Sequence, residues 1–382
     1  MSDKQISRRS FLAGSAAAAA TAALSPVVLP QAAQASSGDE VLTTVLDVAR
    51  CEGCEECVGA CREQWQPTVP DPVKPLPKPF PPRVPTSDWS GRKEVQDRLT
   101  PYNFLYIEKL TIKHKGKTVE LNIPRRCMHC ENPPCTNLCP FGAGRMEKNG
   151  VVHIDPVLCM GGAKCNTVCP WHIPQRQSGI GLYLKFLPTL AGNGTMYKCN
   201  RCLPLLKKGE QPRCIEVCPQ ELQSIGPRRE MLAKAEALAR KRAQEDGADP
   251  SRWREYVYGL TENGGTNTIY VTPMPMKVIA KAVAADHRAK KQKVLARLDA
   301  AIAKLKKADK QEALIKAKRK KKRTAKSNLG RPAMGPVGNS MASEENMTAA
   351  VLLAPVAGLA AGFLKVFGSK RPTAGQEKGG EA

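Results

Sequence analysis

Alternation of apolar and polar residues predicts two β-hairpins. The stretches YNFLYIEKL (102–110) and TVELNI (118–123) flank Lys115 and Gly116. A period of two is typical of half-buried strands, and a short glycine-containing link between them favours a tight turn. In YVYGLTENGGTNTIYV (256–271), Gly264 and Gly265 close a second predicted hairpin.

Helical periodicity appears in the C-terminal third of the chain. Leu295, Leu298, Ile302 and Leu305 follow 3-4-3 spacing, which predicts the apolar face of an amphipathic helix. The basic run KAKRKKKR follows at 316–323. We therefore expect residues 278–345 to form a basic linker that is partly helical and otherwise disordered.

An uncharged stretch of 18 residues, MTAAVLLAPVAGLAAGFL, occupies 347–364 and is followed by Lys365, Lys370 and Arg371. This length is enough to cross a bilayer, and basic residues after it favour a cytoplasmic C-terminus. We expect a single transmembrane helix over 346–365 and a polar tail over 366–382. The alternative is a helix that lies at the membrane interface or packs on a partner.

Proline dominates a segment near the N-terminal end of the body. Nine of the 19 residues in 67–85 are prolines. This composition predicts an extended loop of polyproline character, because proline cannot donate the hydrogen bonds of a helix or sheet. The loop is expected to be a surface insertion, and contact with a partner subunit is the alternative.

Cysteine is confined to one part of the chain. All 15 cysteines among the 382 residues lie between Cys51 and Cys218. Aromatic residues make up only 5% of the chain, whereas 31 prolines and 30 glycines are spread along it. A body with few large apolar side chains needs another source of stability, and metal ligation can supply it.

The positive charge is concentrated elsewhere. The formal net charge is +24, and residues 278–326 contribute +14 of it, with 18 Lys or Arg and 4 Asp or Glu. An anionic lipid surface or an acidic cytochrome partner suits such a segment, and a solvated basic helix is the alternative. No aromatic residue interrupts this segment, so we expect no nucleic acid as a partner.

The N-terminus resembles a twin-arginine signal peptide. SRRSFL (7–12) places Arg8 and Arg9 before an alanine-rich run, and Ala33-Gln34-Ala35 offers a cleavage site. A basic, disordered N-terminus is the alternative. A signal over 1–35 would start the mature chain at Ser36, outside the cytoplasmic membrane. Twin-arginine export moves folded proteins, which suits cofactor insertion in the cytoplasm.

Four cysteine groups form an internal repeat. The first, CEGCEECVGAC, has the C-x2-C-x2-C-x3-C spacing of bacterial ferredoxins, in which the fourth cysteine ligates another cluster. The three later groups vary this spacing and end in x3-C-P. We therefore expect four iron–sulfur clusters. The groups are Cys51, Cys54, Cys57 and Cys61; Cys127, Cys130, Cys135 and Cys139; Cys159, Cys165 and Cys169; and Cys199, Cys202, Cys214 and Cys218.

Other uses of cysteine fit this spacing less well. A structural zinc ion takes two pairs of ligands, and the two pairs are usually separated by a dozen or more residues. The first group instead has four cysteines within eleven residues. An oxidising compartment permits a disulfide scaffold, but ferredoxin spacing favours clusters. No C-x-x-C-H motif occurs in the chain, so c-type haem has no support.

Residues 40–275 resemble the four-cluster, ferredoxin-like electron-transfer subunits of membrane-bound oxidoreductases, in particular those of periplasmic hydrogenase and high-molecular-weight cytochrome complexes. The order of the four groups carries the resemblance, together with GVVHIDPVLC (150–159) and YVYGLTENGGTNTIYV (256–271). It implies an α+β fold of tandem bacterial-ferredoxin-like dicluster domains. The C-terminal helical extension and the transmembrane helix would follow them.

The resemblance also implies which cysteines share a cluster. The first group pairs with the fourth and the second with the third, and each group lends its last cysteine to its mate. We call the implied ligand sets A, B, C and D. They are, in that order, Cys51, Cys54, Cys57 and Cys218; Cys61, Cys199, Cys202 and Cys214; Cys127, Cys130, Cys135 and Cys169; and Cys139, Cys159 and Cys165.

Set D is one cysteine short. When LCMGGAKCNTVCPW (158–171) is aligned on the repeat, Gly162 stands where the second cysteine belongs. Glycine supplies no ligand, so we expect three [4Fe-4S] clusters and one [3Fe-4S] cluster, or a labile [4Fe-4S] cluster at set D. Nitrate reductase subunits that resemble this chain also lack this cysteine and carry a three-iron cluster. Ligation by Met160 or a distant residue is the alternative, although a thioether is a poor ligand for ferric iron. A higher potential than that of the other clusters is expected.

Little other chemistry is encoded. The histidines are His114, His129, His153, His172 and His287, and they form no evident ligand cluster. We expect His129 to be a non-ligand in a cluster loop and His153 to pack in a strand. Lys198 and Arg201 lie among the cysteines and could tune cluster potentials, but we expect them to be solvated.

These observations predict an electron-transfer subunit at the periplasmic face of the cytoplasmic membrane. It would relay single electrons between a catalytic subunit, expected to be hydrogenase-type, and a membrane partner that contains quinone or cytochrome. The alternatives are a subunit of a molybdopterin oxidoreductase and a zinc-stabilised basic binding protein. The predicted divisions are 1–35 (signal), 36–227 (four-cluster domain, with the insertion 67–85), 228–277 (family-specific segment), 278–345 (linker), 346–365 (transmembrane helix) and 366–382 (tail).

Overall fold

The computed structural model describes residues 41–79, 84–184, 186, 193–308 and 310–342. The chain divides into two units, 1–38 and 39–382, and every described residue belongs to the second. The predicted signal peptide and transmembrane helix both lie outside the described residues. Within those residues, no helix has the length and apolar character required to cross a membrane.

Short strands and short helices alternate through the cysteine-rich body, and longer helices follow it. The strands are β1 (Leu42–Asp47), β2 (Tyr106–His114), β3 (Lys117–Arg125), β4 (Gly144–Met146), β5 (Val152–Ile154), β6 (Gln175–Gln177), β7 (Thr195–Tyr197), β8 (Gln223–Pro227), β9 (Val257–Tyr258) and β10 (Thr268–Val271). The α-helices are α1 (Glu56–Trp65), α2 (Pro134–Asn137), α3 (Lys164–Val168), α4 (Leu203–Leu206), α5 (Arg213–Glu216), α6 (Arg228–Glu245), α7 (Met276–Lys307) and α8 (Gln311–Lys326). Turns of 3-10 helix occur at Val48–Arg50, Gln66–Thr68, Ser90–Arg92, Leu182–Leu184, Pro250–Tyr256 and Glu262–Gly264.

A four-stranded sheet joins the two ends of the body. Its strand order is β8-β1-β10-β9, with β1 parallel to β10 and the other pairs antiparallel. Thr44 at the start of the body lies opposite Thr268 near its end. The segment that carries the cysteines therefore leaves the sheet at β1 and returns to it at β8 and β10.

Both predicted hairpins are confirmed. Strands β2 and β3 pair from Tyr106 opposite Arg125 to His114 opposite Lys117. Lys115 and Gly116 make the turn with φ of 48° and 76°, the conformation that two-residue hairpin turns of type I′ require. Strands β9 and β10 form the second hairpin, and β5 contains His153 as expected.

Helix α6 packs on the sheet through a ridge of small side chains. Ala235, Ala239 and Ala243 are at most 1% exposed and follow a spacing of four residues along one face of the helix. Alanine favours the helix and lets its backbone approach the sheet closely. Arg242 Nη2 pairs with Asp47 Oδ2 at 2.5 Å, which links this helix to β1.

The predicted amphipathic helix is the second half of α7. The first half lies against the body, where Ile279 and Val283 are buried in the main core. His287 Nε2 lies 2.9 Å from Glu108 Oε2 on β2 and adds a polar link between helix and hairpin. Helix α8, which contains the KAKRKKKR run, packs back against α7.

Residues 327–342, which we call the strap, return from α8 to the body. Arg125 Nη2 donates to the carbonyl oxygens of Pro332 and Ala333, each at 2.8 Å. Met334 is 2% exposed, and Tyr258 donates its hydroxyl to the carbonyl of Gly335 at 3.0 Å. Within the predicted linker, α7, α8 and the strap are thus ordered, because apolar and main-chain groups of this segment complete the core.

Truncation of Ile279 should loosen α7 from the body. Ile279 is fully buried, so Ile279→Ala is expected to cost about 2–5 kcal/mol and to lower the Tm of the anaerobic holoprotein by several degrees. Ile315→Ala on α8 is the matched control, because that side chain is 50% exposed and its loss should cost less than about 0.5 kcal/mol. Circular dichroism during heating measures both, and equal shifts would contradict the packing of α7.

Candidate functional site

The four cysteine loops share one turn. In each loop the residue two positions after the first cysteine has positive φ, and two of these four residues are not glycine. The residues are Gly53 (77°), His129 (48°), Gly161 (64°) and Arg201 (54°). The backbone N–H of this residue approaches the sulfur of the first cysteine, as in His129 N to Cys127 Sγ at 3.5 Å and Arg201 N to Cys199 Sγ at 3.4 Å. Gly53 and Gly161 do the same for Cys51 and Cys159.

This turn defines the structural position of Gly162. The residue after the positive-φ position is Cys54, Cys130 and Cys202 in three loops, and Gly162 in the third group. The alignment made from sequence is therefore matched by the backbone. A Cβ added to Gly162 would meet only Phe141 Cε2, at 3.4 Å, and its φ does not lie in the left-handed region. The backbone could accept a cysteine there.

The cysteine four residues before the last one of each group lies at the start of a helix. Cys57, Cys135, Cys165 and Cys214 are the second residues of α1, α2, α3 and α5. Helix N-termini favour a thiolate over a thiol, since their free N–H groups carry partial positive charge. The same local design thus recurs in all four groups, although the spacing before this cysteine varies.

Set B comes together from two distant segments. Cys61, Cys202, Cys199 and Cys214 line one cavity, with Arg126 and Trp65 also in its wall. Burial raises the pKa of Cys61 well above its ordinary value, and the charges of the other three cysteines raise it further. Trp65 Nε1 donates to Cys202 Sγ at 3.4 Å.

Set C has the same form. Cys127, Cys130, Cys135 and Cys169 line a second cavity, whose wall includes Trp171 and Lys198. Burial raises the pKa of Cys130 well above its ordinary value, and the three other cysteines add to the effect. Cavities walled by four cysteines fit groups that take four thiolate ligands.

Sets A and D are also assembled. Burial raises the pKa of Cys51, and the charges of Cys54 and Cys218 raise it further. Burial also raises the pKa of Cys57, followed by the charges of Cys214, Cys51 and Cys218. In set D, burial raises the pKa of Cys165, followed by the charges of Cys159, Cys135 and Cys139. The structure therefore places the cysteines of each implied set near one another, and which of them share a cluster stays a prediction.

The spacing of the sulfur atoms does not suit zinc. Four sulfur ligands at about 2.3 Å from one zinc ion lie about 3.8 Å from one another. Among the described residues, no three cysteine sulfurs all lie within 4.8 Å of one another. In the described part of the chain, the group of possible ligands that lie that close together is Glu108, Asp286 and His287. Arg331 and Lys290 lie 3.8 and 3.9 Å from Glu108 Oε1, so this group is an ion-pair network.

Electrostatic effects link set A to set B, set B to set C and set C to set D. Between A and B, the charge of Cys214 acts on Cys57. Between B and C, the charge of Cys127 acts on Cys199, and between C and D that of Cys135 acts on Cys165. Each of these thiols has its pKa raised first by burial. Neighbouring sets thus lie close enough for their charges to interact.

Three cations are buried among these sets, which corrects the expectation that Lys198 and Arg201 are solvated. Arg126, Lys198 and Arg201 are 5%, 6% and 4% exposed. Arg126 Nη1 donates to Cys214 Sγ at 2.9 Å, and Lys198 Nζ to Cys127 Sγ at 3.4 Å. Sequence reasoning did not identify Arg126 or Trp65. The position of Arg126 directly before Cys127 was the available signal, whereas the contact of Trp65 arises only in three dimensions.

His129 is buried between sets B and C. Its ring nitrogens contact the backbone of Val152 and the sulfur of Cys199, so it does not stand in for the missing cysteine of set D. Burial and the charges of Arg201 and Lys198 hold its pKa well below its ordinary value. Its Nδ1 accepts the backbone N–H of Val152 at 3.1 Å, which leaves the proton of the neutral ring on Nε2. Nε2 lies 3.8 Å from Cys199 Sγ and can donate to it.

Comparison with known protein families agrees with this geometry. Residues 50–143 match one family model described as a 4Fe-4S dicluster domain, and residues 119–228 match another with the same description. The chain carries two 4Fe-4S dicluster domains. Residues 5–25 match the signal sequence of the twin-arginine translocation pathway, which supports export of this dicluster protein to the periplasm. Its mixed strands and helices are consistent with the α+β expectation.

Several curated proteins are similar to the dicluster protein. The hydrogenase-2 operon protein HybA of Escherichia coli O157:H7 is 28% identical over 71% of this chain and 82% of its own length. YnfG of Escherichia coli K12, a probable subunit of an anaerobic dimethyl sulfoxide reductase, is 27% identical over 51% and 77%. The iron-sulfur subunit of nitrate-inducible formate dehydrogenase, from the same strain, is 28% identical over 59% and 66%.

Proposed function

We propose that this protein relays single electrons through four iron–sulfur clusters as a subunit of an oxidoreductase complex. The observation that carries the proposal is the assembly of the cysteines into four adjacent sets, two of which wall cavities. Sets A, B and C would each hold a [4Fe-4S] cluster, and such clusters supply one-electron transfer. The polypeptide would hold the clusters at fixed spacing and exclude water from those at sets B and C.

Set D would hold a [3Fe-4S] cluster. Gly162 occupies the position of a ligand in an otherwise intact loop, and it offers no side chain to a fourth iron. Set D is also less enclosed than sets B and C, since Phe141 and Leu158 near its cysteines are 43% and 40% exposed. An iron without a protein ligand would be lost readily from such a site outside the cytoplasm.

The catalytic partner would be hydrogenase-type. HybA matches 71% of this chain, whereas YnfG matches 51%. The match to HybA therefore takes in more of this chain than the match to YnfG does. The comparisons do not favour the molybdopterin alternative, and the sulfur spacing opposes the zinc alternative.

The membrane partner and the anchor complete the proposal. The uncharged stretch 347–364 would hold the exported body at the periplasmic face of the membrane, where a quinone- or cytochrome-containing subunit exchanges electrons with it. Helices α7 and α8 would face anionic lipid. In α8, Lys316, Lys318, Arg319, Lys320, Lys322, Arg323 and Lys326 are exposed.

Iron analysis and electron paramagnetic resonance test the proposal on anaerobically purified protein. We expect about 15 irons per chain and a near-isotropic signal close to g of about 2.01 in the oxidised state, from a three-iron cluster beside three cubanes. About 16 irons without that signal would mean that a non-cysteine ligand completes set D. Zinc without iron would overturn electron transfer as the function.

Restoring the missing cysteine should convert the cluster at set D. Gly162→Cys is expected to bring the iron content to about 16 and to abolish the signal near g of about 2.01. Gly162→Ala is the matched control, because it adds the same Cβ without a sulfur and should keep the signal. Loss of the signal in the alanine variant as well would show that Gly162 matters for backbone shape and not for ligation.

Removal of the C-terminal segment should release the protein from membranes. A chain that ends after Asn346 is expected in the soluble periplasmic fraction, whereas the full chain sediments with membranes and resists a high-salt wash. Vesicles of phosphatidylglycerol and phosphatidylcholine then probe the truncated chain. Salt-sensitive binding to the anionic vesicles alone would support the lipid-facing role of α7 and α8, and a soluble full chain would exclude the anchor.

A further inference from the structure

A buried ammonium group lies where sets B and C meet. Lys198 directly precedes Cys199 of set B, and its Nζ lies 3.4 Å from Cys127 Sγ of set C. The same nitrogen donates to the carbonyl oxygens of Val152 at 2.5 Å and Cys199 at 3.1 Å. Three acceptors therefore surround a group with three N–H bonds, which is the complement of a protonated lysine.

No carboxylate balances this charge in the part of the chain that the structure describes. Its contacts there are the thiol of Cys127 and two carbonyls, and the side chain is 6% exposed. A buried charge without a counter-charge is strongly destabilising. Thiolates and the group they hold are the remaining source of negative charge, and Lys198 borders two such sets at once.

A second contact crosses the same boundary. His129 lies in the loop between Cys127 and Cys130 of set C, and its Nε2 lies 3.8 Å from Cys199 Sγ of set B. Because Nδ1 is occupied by the N–H of Val152, the ring is held in one orientation. Lys198 and His129 thus both connect the two sets, and the acceptors of Lys198 Nζ place its charge beside Cys127 of set C and the backbone of Cys199 of set B.

We propose that Lys198 raises the reduction potentials of the clusters at sets B and C together. Reduction adds negative charge to a cluster, and a cation in a low-dielectric interior stabilises the reduced form. Sets A and B come from the first and fourth cysteine groups, and C and D from the second and third. An electron must cross from B to C to traverse the protein, and one charge there favours both sides of the crossing.

The inference rests on the proposed function, and neutral variants of Lys198 test it. Lys198→Gln removes the charge but keeps an N–H donor, and Lys198→Arg keeps the charge. Lys207→Gln is the matched control, because Lys207 follows the set B loop yet is 61% exposed and lies 3.7 Å from Glu147. Redox titration followed by electron paramagnetic resonance, with iron content measured on each sample, gives the midpoint potential of every cluster.

We expect Lys198→Gln, with the iron content of the unmodified protein, to shift two midpoint potentials to lower values and to leave the other two unchanged. Lys198→Arg and Lys207→Gln should leave all four near their original values. Unchanged potentials in Lys198→Gln, or an equal shift of all four, would overturn the role of Lys198. So would the same shift in Lys207→Gln.

Loss of clusters is also informative. If Lys198→Gln lacks iron while Lys198→Arg retains it, the charge of Lys198 is required as the counter-charge of the two sets, which supports the proposal. If both variants lack iron, charge is not the property that matters and the proposal fails. An unmodified protein without iron would instead refute the proposed function itself.

Discussion

Arg126, Lys198 and Arg201 hold positive charge in an interior that also buries the cysteines of sets B and C. Burial opposes ionisation of the thiols, as it does for Cys61 and Cys130. Buried cations without counter-charge are equally unfavourable. Each kind of group stabilises the other there, and Arg201 also donates to the carbonyl oxygens of Leu42 and Asn267. This mutual compensation helps a chain with only 5% aromatic residues to enclose so many polar atoms.

The surrounding elements close this interior. Strands β1 and β10 pair the start of the body with its end, and α6 covers their sheet through small alanine side chains. The β2–β3 hairpin supplies Arg125, which donates to carbonyls of the strap. Burial raises the pKa of Glu108. The hydrogen bond from His287 and the charge of Arg125 outweigh this effect and lower the pKa to about 2. The segment that follows the cysteines is therefore part of the body's packing and not merely a connection to a membrane.

Set D differs from the inner sets in enclosure as well as in ligand number. Cys139 and Cys165 are half-buried, and large apolar side chains beside them remain exposed, including Phe141, Val157 and Leu158. Sets B and C, by contrast, are bordered by buried cations. The electrostatic surroundings therefore differ along the four sets, because buried cations border the inner sets B and C, whereas solvent reaches Cys54 of set A and the half-buried cysteines of set D.

Sequence alone determined the local features of this protein. Cysteine spacing, the position of Gly162, both hairpins and the helix through Leu295 and Leu305 depend on residues close in the chain, where repeat, alternation and periodicity are visible. Tertiary structure decided the rest. Burial of Lys198 and Arg201 depends on segments far apart in the chain, and so do the contact of Trp65 with Cys202 and the packing of the strap. From sequence alone, Lys198 and Arg201 are expected to be solvated. Their partners, the thiol of Cys127 and the carbonyls of Leu42 and Asn267, lie on distant segments that no local pattern connects to them.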